Sequence, residues 1–123
     1  GATRLGYVGG ASSLLVSEGG PRLWDVSQEH IPADVKPEIE TGLRAFELVK
    51  ASPATLDWFY VSPPADFGSW FNTESKGTYV LGGDVLQRDA EGKSTISAAD
   101  LALAILDEIE TPTHHRGRFT AIA

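Results

Sequence analysis

The sequence contains no cysteine and no methionine, and it has only 10 lysine and arginine residues against 17 aspartate and glutamate residues. The absence of cysteine excludes disulfide bonds and thiolate chemistry and fits a reducing compartment, so we expect a cytoplasmic protein. The formal net charge of -7 argues against a nucleic-acid partner, because binding phosphates requires clustered lysine and arginine. No apolar run approaches the roughly 20 residues that cross a bilayer, so we expect neither a membrane segment nor a secretory leader.

The missing methionine bears on the origin of the chain. A native translation product begins with methionine, so we expect a chain that has been processed, trimmed or cut from a longer one. Its 123 residues lie within the usual size range of one domain, and we expect residues 1–123 to form a single domain. With 41% hydrophobic and 22% charged residues, the composition is that of a globular protein.

The opening stretch combines a short apolar run with glycines and hydroxyls. Residues 5–8 predict a buried strand, and Gly9, Gly10, Ser12 and Ser13 follow it directly. In an open α/β sheet, ligands bind beyond the carboxyl ends of the strands, and glycine lets the backbone approach a flat ligand closely. The stretch therefore predicts a pocket wall. The alternative is an ordinary strand followed by a Gly/Ser turn.

The first glycines imitate a dinucleotide-binding fingerprint without forming one. That fingerprint needs G-x-G-x-x-G directly after a strand and directly before a helix. No strand precedes Gly1, and the residues after Gly6 are strand-like rather than helical. We therefore reject the fingerprint here.

A helix and a second strand follow and define the predicted architecture. Four apolar residues at spacings of four, three and three predict the buried face of a helix that begins near Asp34 and ends near Ser52. They are Ile39, Leu43, Phe46 and Val49. Residues 56–62 then predict a buried strand that stops at two prolines. A helix between two strands makes them parallel, so the segments after Val8 and Ser62 should meet in one cleft.

Two irregular stretches flank this cleft. Residues 16–31 predict a long loop in which Trp24 either anchors the loop on the core or stacks on a ligand. Residues 63–76 predict a second loop. Its Phe67 and Trp70 either line an apolar pocket or cover the core.

The remaining sequence completes an α/β pattern. Residues 78–81 predict a strand, and residues 85–96 predict a hairpin around a polar four-residue turn. Ser97 and Asp100 predict a helix start of the capping-box type, and Pro112 ends that helix. Residues 118–122 predict a last short strand.

Several catalytic signatures are absent. His114 and His115 have no third ligand at metal spacing, so we predict no metal site. The G-x-S-x-G elbow of serine hydrolases is missing. A tyrosine with a lysine four residues later, which lowers the phenol pKa in many nicotinamide-dependent reductases, is also missing. The catalytic residue stays unknown, with Ser13 as a candidate.

Five segments in one collinear order carry a family resemblance. They are residues 9–14 (GGASSL), 57–63 (DWFYVSP), 77–84 (GTYVLGGD), 96–102 (ISAADLA) and 118–120 (RFT). The series resembles the atypical short-chain dehydrogenase/reductase group. Within that group it is most similar to the NAD(P)H-binding, NADH-flavin reductase-like proteins and to biliverdin-IXβ/flavin reductase. The resemblance covers essentially all 123 residues.

The resemblance implies a fold class and a cofactor. The chain looks like the second half of a Rossmann-type doubly wound parallel sheet with a small β-hairpin. The implied first βαβ half, with the glycine-rich loop that holds the cofactor pyrophosphate, is not in the sequence. The implied cofactor is NAD or NADP, with flavin as a substrate. The implied partner is the missing N-terminal half, or another chain, that covers the open sheet edge.

The resemblance also implies site residues. The implied cofactor-binding residues are Gly9, Gly10, Ala11, Ser13, Ser62, Pro63, Pro64 and Ala65. Phe67 and Trp70 are implied to contact a flat substrate. Ser12 stands where relatives often have glycine, and residues 64–66 also depart from the pattern.

These observations lead to a functional expectation. We expect an NAD(P)H-dependent oxidoreductase of the flavin reductase-like type, which transfers hydride to a small planar acceptor and is represented here by a fragment. The alternative is a non-catalytic NAD(P)-binding regulatory or sensor protein. A third interpretation is that this chain alone is inactive, because its exposed sheet edge needs the absent half.

Overall fold

A computed structural model describes residues 3–68, 71 and 73–123, which form a mixed four-stranded sheet with a helix packed on each face. In chain order the elements are β1 (Arg4–Val8), α1 (Leu23–Ser27), a 3₁₀ helix (Gln28–His30), α2 (Lys36–Lys50), β2 (Asp57–Ser62), β3 (Val80–Gly82), α3 (Ala98–Glu110) and β4 (Gly117–Ile122).

The strand order is β1-β2-β4-β3. β2 runs parallel to β1 and to β4, whereas β3 runs antiparallel to β4. Val8 pairs with Val61 and Ser62 pairs with Thr120, so the three parallel strands end at the same edge of the sheet. The α/β fold class and the parallel strand-helix-strand unit predicted from the sequence are confirmed.

α2 covers one face of the sheet. Its Phe46 packs against Trp58 and Tyr60, which alternate on one side of β2. Pro37 lies in the first turn as predicted, because a helix start does not need its N–H. Asp34, however, is not the cap: the helix begins after Val35.

α3 covers the opposite face. Its Leu101 and Ala104 pack against Phe59, Val61 and Phe119, which form the main core cluster. The predicted helix start is confirmed, since the Ser97 hydroxyl accepts the backbone N–H of Asp100 at 3.0 Å.

β1 was predicted as a buried strand, and that prediction is wrong. Leu5 is 37% exposed and Val8 is 54% exposed. The cause is the strand order, because β1 pairs with β2 on one side and lies at the edge of the sheet formed by the described residues.

Two other sequence predictions differ from the structure. Residues 16–31 contain α1 and the 3₁₀ helix, because Asp25 accepts the backbone N–H of Arg22 at 3.0 Å and so caps a single helical turn. The turn at residues 89–92 forms. The residues on either side of it form β-bridges with other segments, Val85 with Leu15 and Thr95 with Asp66. These longer-range bridges replace the predicted hairpin.

Within the described residues, no helix is both long enough and apolar enough to cross a bilayer.

Candidate functional site

The glycine-serine turn after β1 lies at the carboxyl edge of the sheet. The Gly9 N–H donates to the Val61 carbonyl at 2.8 Å, which extends the ladder between β1 and β2 by one residue. The Leu14 N–H then donates to the Ala11 carbonyl at 3.0 Å, so the chain turns sharply. The segments after Val8 and Ser62 thus leave neighbouring strands at the same edge.

A cavity of about 540 Å³, which we name the β1 cavity, opens between this turn and the first half of α2. Its lining comprises Tyr7, Val8, Gly9, Gly10, Ser12 and Ser13 from the strand and turn, Tyr60 from β2, and Val35, Glu38, Ile39, Thr41, Gly42 and Leu43 from the helix region. The volume lies in the range of small-molecule sites.

Gly9 and Gly10 play different roles in this cavity. A Cβ on Gly9 would lie 1.7 Å from the hydroxyl oxygen of Tyr60, so the side chain of Tyr60 requires glycine there. A Cβ on Gly10 would meet no atom within 4 Å. Gly10 therefore faces open space, and a flat ligand could approach its backbone.

Tyr60 connects the turn to the core. Its side chain is 1% exposed, stacks on Tyr7 with ring centroids 5.3 Å apart, and its hydroxyl oxygen accepts the backbone N–H of Gly10. Burial raises the pKa of the Tyr60 phenol above its ordinary value of 10.0, and the neighbouring Tyr7 raises it further. The phenol is therefore neutral at pH 7.

Arg118 organises a buried polar cluster behind the turn. Its Nη1 donates to Ser13 Oγ at 2.7 Å and to Ser62 Oγ at 3.3 Å, and its Nε donates to Asp84 at 3.0 Å. Its guanidinium also lies 4.7 Å from the ring centroid of Phe46. Because arginine can only donate, Ser13 Oγ must accept from it, which leaves the hydroxyl proton of Ser13 free to be donated.

The other predicted site residues lie elsewhere around the edge. Ser62, Pro63 and Pro64 are buried, and the Ala65 N–H donates to Ser94 Oγ at 3.1 Å. Phe67 packs against the core cluster on the α3 face, as the core-covering interpretation expects. These residues do not line the β1 cavity. Trp70 lies outside the described residues.

Trp24 and two histidines have clear structural roles. Trp24 is 6% exposed and its backbone N–H donates to the Ser12 carbonyl at 3.0 Å, so it anchors the loop. His114 Nδ1 lies 2.6 Å from Glu108 Oε1, and His115 Nδ1 lies 3.1 Å from Asp57 Oδ2. Each histidine is paired with one carboxylate.

The sequence analysis missed the parts played by Arg118 and Tyr60. The signal for Arg118 was its position within a predicted strand, since a charge in a buried strand needs partners. The signal for Tyr60 was strand alternation, which places it on the same face as Trp58.

The fold and the turn define the class of structure. A mixed sheet with three parallel strands ending at one glycine-rich edge matches the C-terminal half of Rossmann-like, NAD(P)-binding proteins. The chain is 38% identical over 126 residues to YwnB of Bacillus subtilis, an uncharacterised protein. The alignment covers 98% of this chain and 55% of YwnB. No family model matches the chain.

Solved structures show the same likeness. A proposed NADH-flavin reductase from Streptococcus pneumoniae matches 98% of this chain with a TM-score of 0.85 and 33% identity. A proposed epimerase from Bacteroides thetaiotaomicron matches 98% with a TM-score of 0.80 and 35% identity. The chain spans 55% and 53% of these two proteins, about half their length.

Proposed function

We propose that this chain supplies the acceptor-side half of an NAD(P)H-dependent reductase of the flavin reductase-like type, which transfers hydride to a small planar acceptor. The observation that carries the proposal is the Gly10 backbone, which faces an open cavity at the carboxyl edge of parallel strands. The likeness to a proposed NADH-flavin reductase supports the same activity.

The β1 cavity fits the ring end of a nicotinamide cofactor. Its volume of about 540 Å³ accommodates a flat ring, and Gly10 leaves the space beside its backbone open. Gly10, Ser12 and Ser13 would border the ring. The buried Tyr60 would support the turn on its core side. A bound nicotinamide would supply the hydride, and the protein would supply orientation.

The chain's own residues provide positioning and a hydrogen-bond donor. Arg118 fixes the Ser13 hydroxyl by donating to its oxygen at 2.7 Å, so the Ser13 proton points away from the guanidinium. An acceptor bound in the cavity would receive that hydrogen bond. The neutral Tyr60 holds the Gly10 backbone in place through the Gly10 N–H.

A second element would complete the site. Leu5 and Val8 of β1 are exposed apolar residues on an edge strand, and such an edge favours a further strand. The N-terminal half of a longer protein, or another chain, would cover this edge. That element would carry the glycine-rich loop for the cofactor pyrophosphate.

The experiment compares the native polypeptide that contains these residues with the 123-residue chain alone. We expect the native polypeptide to oxidise NADH or NADPH faster when flavin is added. We expect the 123-residue chain to show no measurable NAD(P)H affinity by calorimetry. If the native polypeptide binds the cofactor but reduces none of a broad panel of acceptors, the regulatory or sensor function replaces the reductase proposal. Micromolar binding to the short chain would refute the need for a second element.

A further inference from the structure

A second cavity, of about 390 Å³, is lined by the C-terminal half of α2 and the start of β4, whereas the first half of α2 lines the β1 cavity. We name it the β4 cavity. Phe46 and Lys50 of α2, Trp58 of β2, Asp84, and residues 116–118 line it. It shares no lining residue with the β1 cavity.

The charge of the β4 cavity is opposite to that of the chain. The sequence carries a net charge of -7, yet Lys50, Arg116 and Arg118 line this cavity against one carboxylate, Asp84. Asp84 is bound to Arg118 at 3.0 Å, and its side chain is 66% exposed. Lys50 pairs with Glu47, which is not part of this lining, so Asp84 is the one carboxylate that faces three cations on the cavity wall.

Arg116 is held at the cavity by backbone carbonyls. Its guanidinium donates to the carbonyls of Ser52, Pro53 and Leu56 at 2.7 to 2.8 Å. Neutral carbonyls fix the side chain in place but do not neutralise it. The backbone of Arg116 has φ 57°, in the left-handed region that non-glycine residues rarely adopt, so these contacts hold a strained residue at the cavity.

Lys50 and Arg118 both lie over the ring of Phe46. Its Nζ lies 4.5 Å from the ring centroid of Phe46, and the guanidinium carbon of Arg118 lies 4.7 Å from the same centroid. The carboxylate partner of Lys50 is Glu47 at 2.8 Å, in a pair with both side chains well exposed. Such a pair is weak and exchanges readily for another anion.

Trp58 provides an independent sign of a missing acceptor. Its side chain is buried, and its indole Nε1 has no hydrogen-bond partner within the described part of the chain. Leaving a buried donor unsatisfied is costly, so native structures normally provide it with an acceptor. Trp58 lines the β4 cavity, where a bound acceptor would satisfy it.

We propose that the β4 cavity binds the carboxylate or phosphate group of a small anionic molecule. Lys50, Arg116 and Arg118 give the wall positive charge, which attracts oxyanions, beside the apolar ring of Phe46. The donors offered to a ligand are the Lys50 ammonium and the Trp58 indole N–H, because the two guanidinium groups donate mainly to protein acceptors. The β4 cavity has a different lining from the β1 cavity, although its Arg118 contacts Ser13 of the β1 cavity. Anion binding here does not require the proposed reductase activity.

The test uses the native polypeptide that contains these residues, with inorganic phosphate and benzoate as probes and sodium chloride at matched ionic strength as the reference. The readout is the indole N–H resonance of Trp58, assigned by its loss in Trp58→Phe. We expect phosphate, benzoate or both to shift this resonance saturably. A shift with phosphate alone identifies a phosphoryl group, and a shift with benzoate alone identifies a carboxylate.

Variants locate the binding. Lys50→Gln should weaken the affinity about threefold to tenfold, since it removes one exposed positive charge. Trp58→Phe should weaken it about fivefold by calorimetry, as expected for one net hydrogen bond. Lys36→Gln, at the other end of α2 and outside the cavity lining, is the matched control and should leave the affinity unchanged.

Three results would overturn the proposal. The first is an unshifted Trp58 resonance with both probes. The second is an equal shift in sodium chloride, which would show that only ionic strength matters. The third is an affinity that Lys50→Gln and Lys36→Gln change equally. A water bound to the indole would produce the first result.

Discussion

The guanidinium Nη1 of Arg118 lies 2.7 Å from the hydroxyl oxygen of Ser13, although 105 positions separate the two residues in the sequence. The contact joins the central strand β4 to the turn after the edge strand β1. Through the same guanidinium, Ser62 at the end of β2 is held as well. Arg118 therefore fixes the relative positions of the segments that follow two parallel strands.

Removing this arginine should cost much more stability than removing an exposed one. Arg118→Gln leaves the Ser13 and Ser62 hydroxyls and the Phe46 ring without their partner, so we expect a loss of about 2 to 3 kcal/mol in the free energy of unfolding. Arg22→Gln is the matched control, since Arg22 forms an exposed pair with Asp25, and about 0.5 kcal/mol is expected. Urea unfolding measures both, and equal losses would contradict the role given to Arg118.

The two glycines of the turn should respond differently to alanine. In Gly9→Ala the new Cβ would lie 1.7 Å from the Tyr60 hydroxyl oxygen, so we expect a loss of about 1 to 3 kcal/mol in the free energy of unfolding. In Gly10→Ala the Cβ meets no atom within 4 Å, and stability should change by less than about 0.5 kcal/mol.

The affinity for the nicotinamide cofactor gives a second test of Gly10. If a flat ring packs on the Gly10 backbone, Gly10→Ala should weaken nicotinamide cofactor binding to the native polypeptide while its unfolding curve stays unchanged. Calorimetry at one temperature and urea unfolding are sufficient for this comparison. Unchanged cofactor affinity in Gly10→Ala would place the ring elsewhere.

Glu108 should make the fold sensitive to acid. Burial favours the neutral form, but hydrogen bonds from His114 and Arg4 outweigh it and hold the Glu108 pKa well below its ordinary value of 4.5. A carboxyl whose pKa is lowered on folding stabilises the protein above its unfolded-state pKa and loses that contribution as the pH falls. We expect the free energy of unfolding to decline progressively below pH 4.5.

The control for this pH dependence is Glu108→Gln. It should be destabilised by about 3 kcal/mol at pH 7, because Arg4 loses a buried partner at 2.6 Å. Its unfolding free energy should also vary less between pH 5 and pH 3 than that of the native protein. A parallel pH profile for the two proteins would assign the acid sensitivity to other carboxylates.

The local parts of this structure could be predicted from the sequence, because they depend on near neighbours. The helical spacing of Phe46 and Val49, the aromatic strand containing Tyr60, and the Ser97 cap each involve residues within a few positions. Parallel pairing of the two strands followed from the helix between them.

The remaining parts depend on strand order and distant partners. Whether β1 is buried depends on which strands lie beside it, and the apolar residues 5–8 look the same in either case. Val85 bridges to Leu15 rather than to its neighbour across the turn, a pairing that no local pattern specifies. The Arg118 cluster joins residues from four distant segments and was missed for the same reason.

Asp100 shows how a local motif acquires a distant role. Its backbone N–H is capped by Ser97 as the sequence predicted, but its carboxylate accepts the Ser75 hydroxyl at 2.8 Å and the N–H groups of Lys76 at 2.8 Å and Gly77 at 3.0 Å. The backbone hydrogen bond from Lys76 is the main cause that lowers the Asp100 pKa.

Asp100→Asn should therefore destabilise the protein by about 2 kcal/mol, because an amide NH₂ would face a backbone N–H donor in the buried site. Asp107→Asn on the same helix is the control. Asp107 accepts the Tyr79 hydroxyl at 2.6 Å in an exposed setting, so its loss should stay below about 1 kcal/mol. Hydrogen exchange at the Lys76 and Gly77 amides should accelerate in Asp100→Asn and stay at the native rate in Asp107→Asn. If both variants left those amides protected, the carboxylate would not be what holds residues 75–77 against α3.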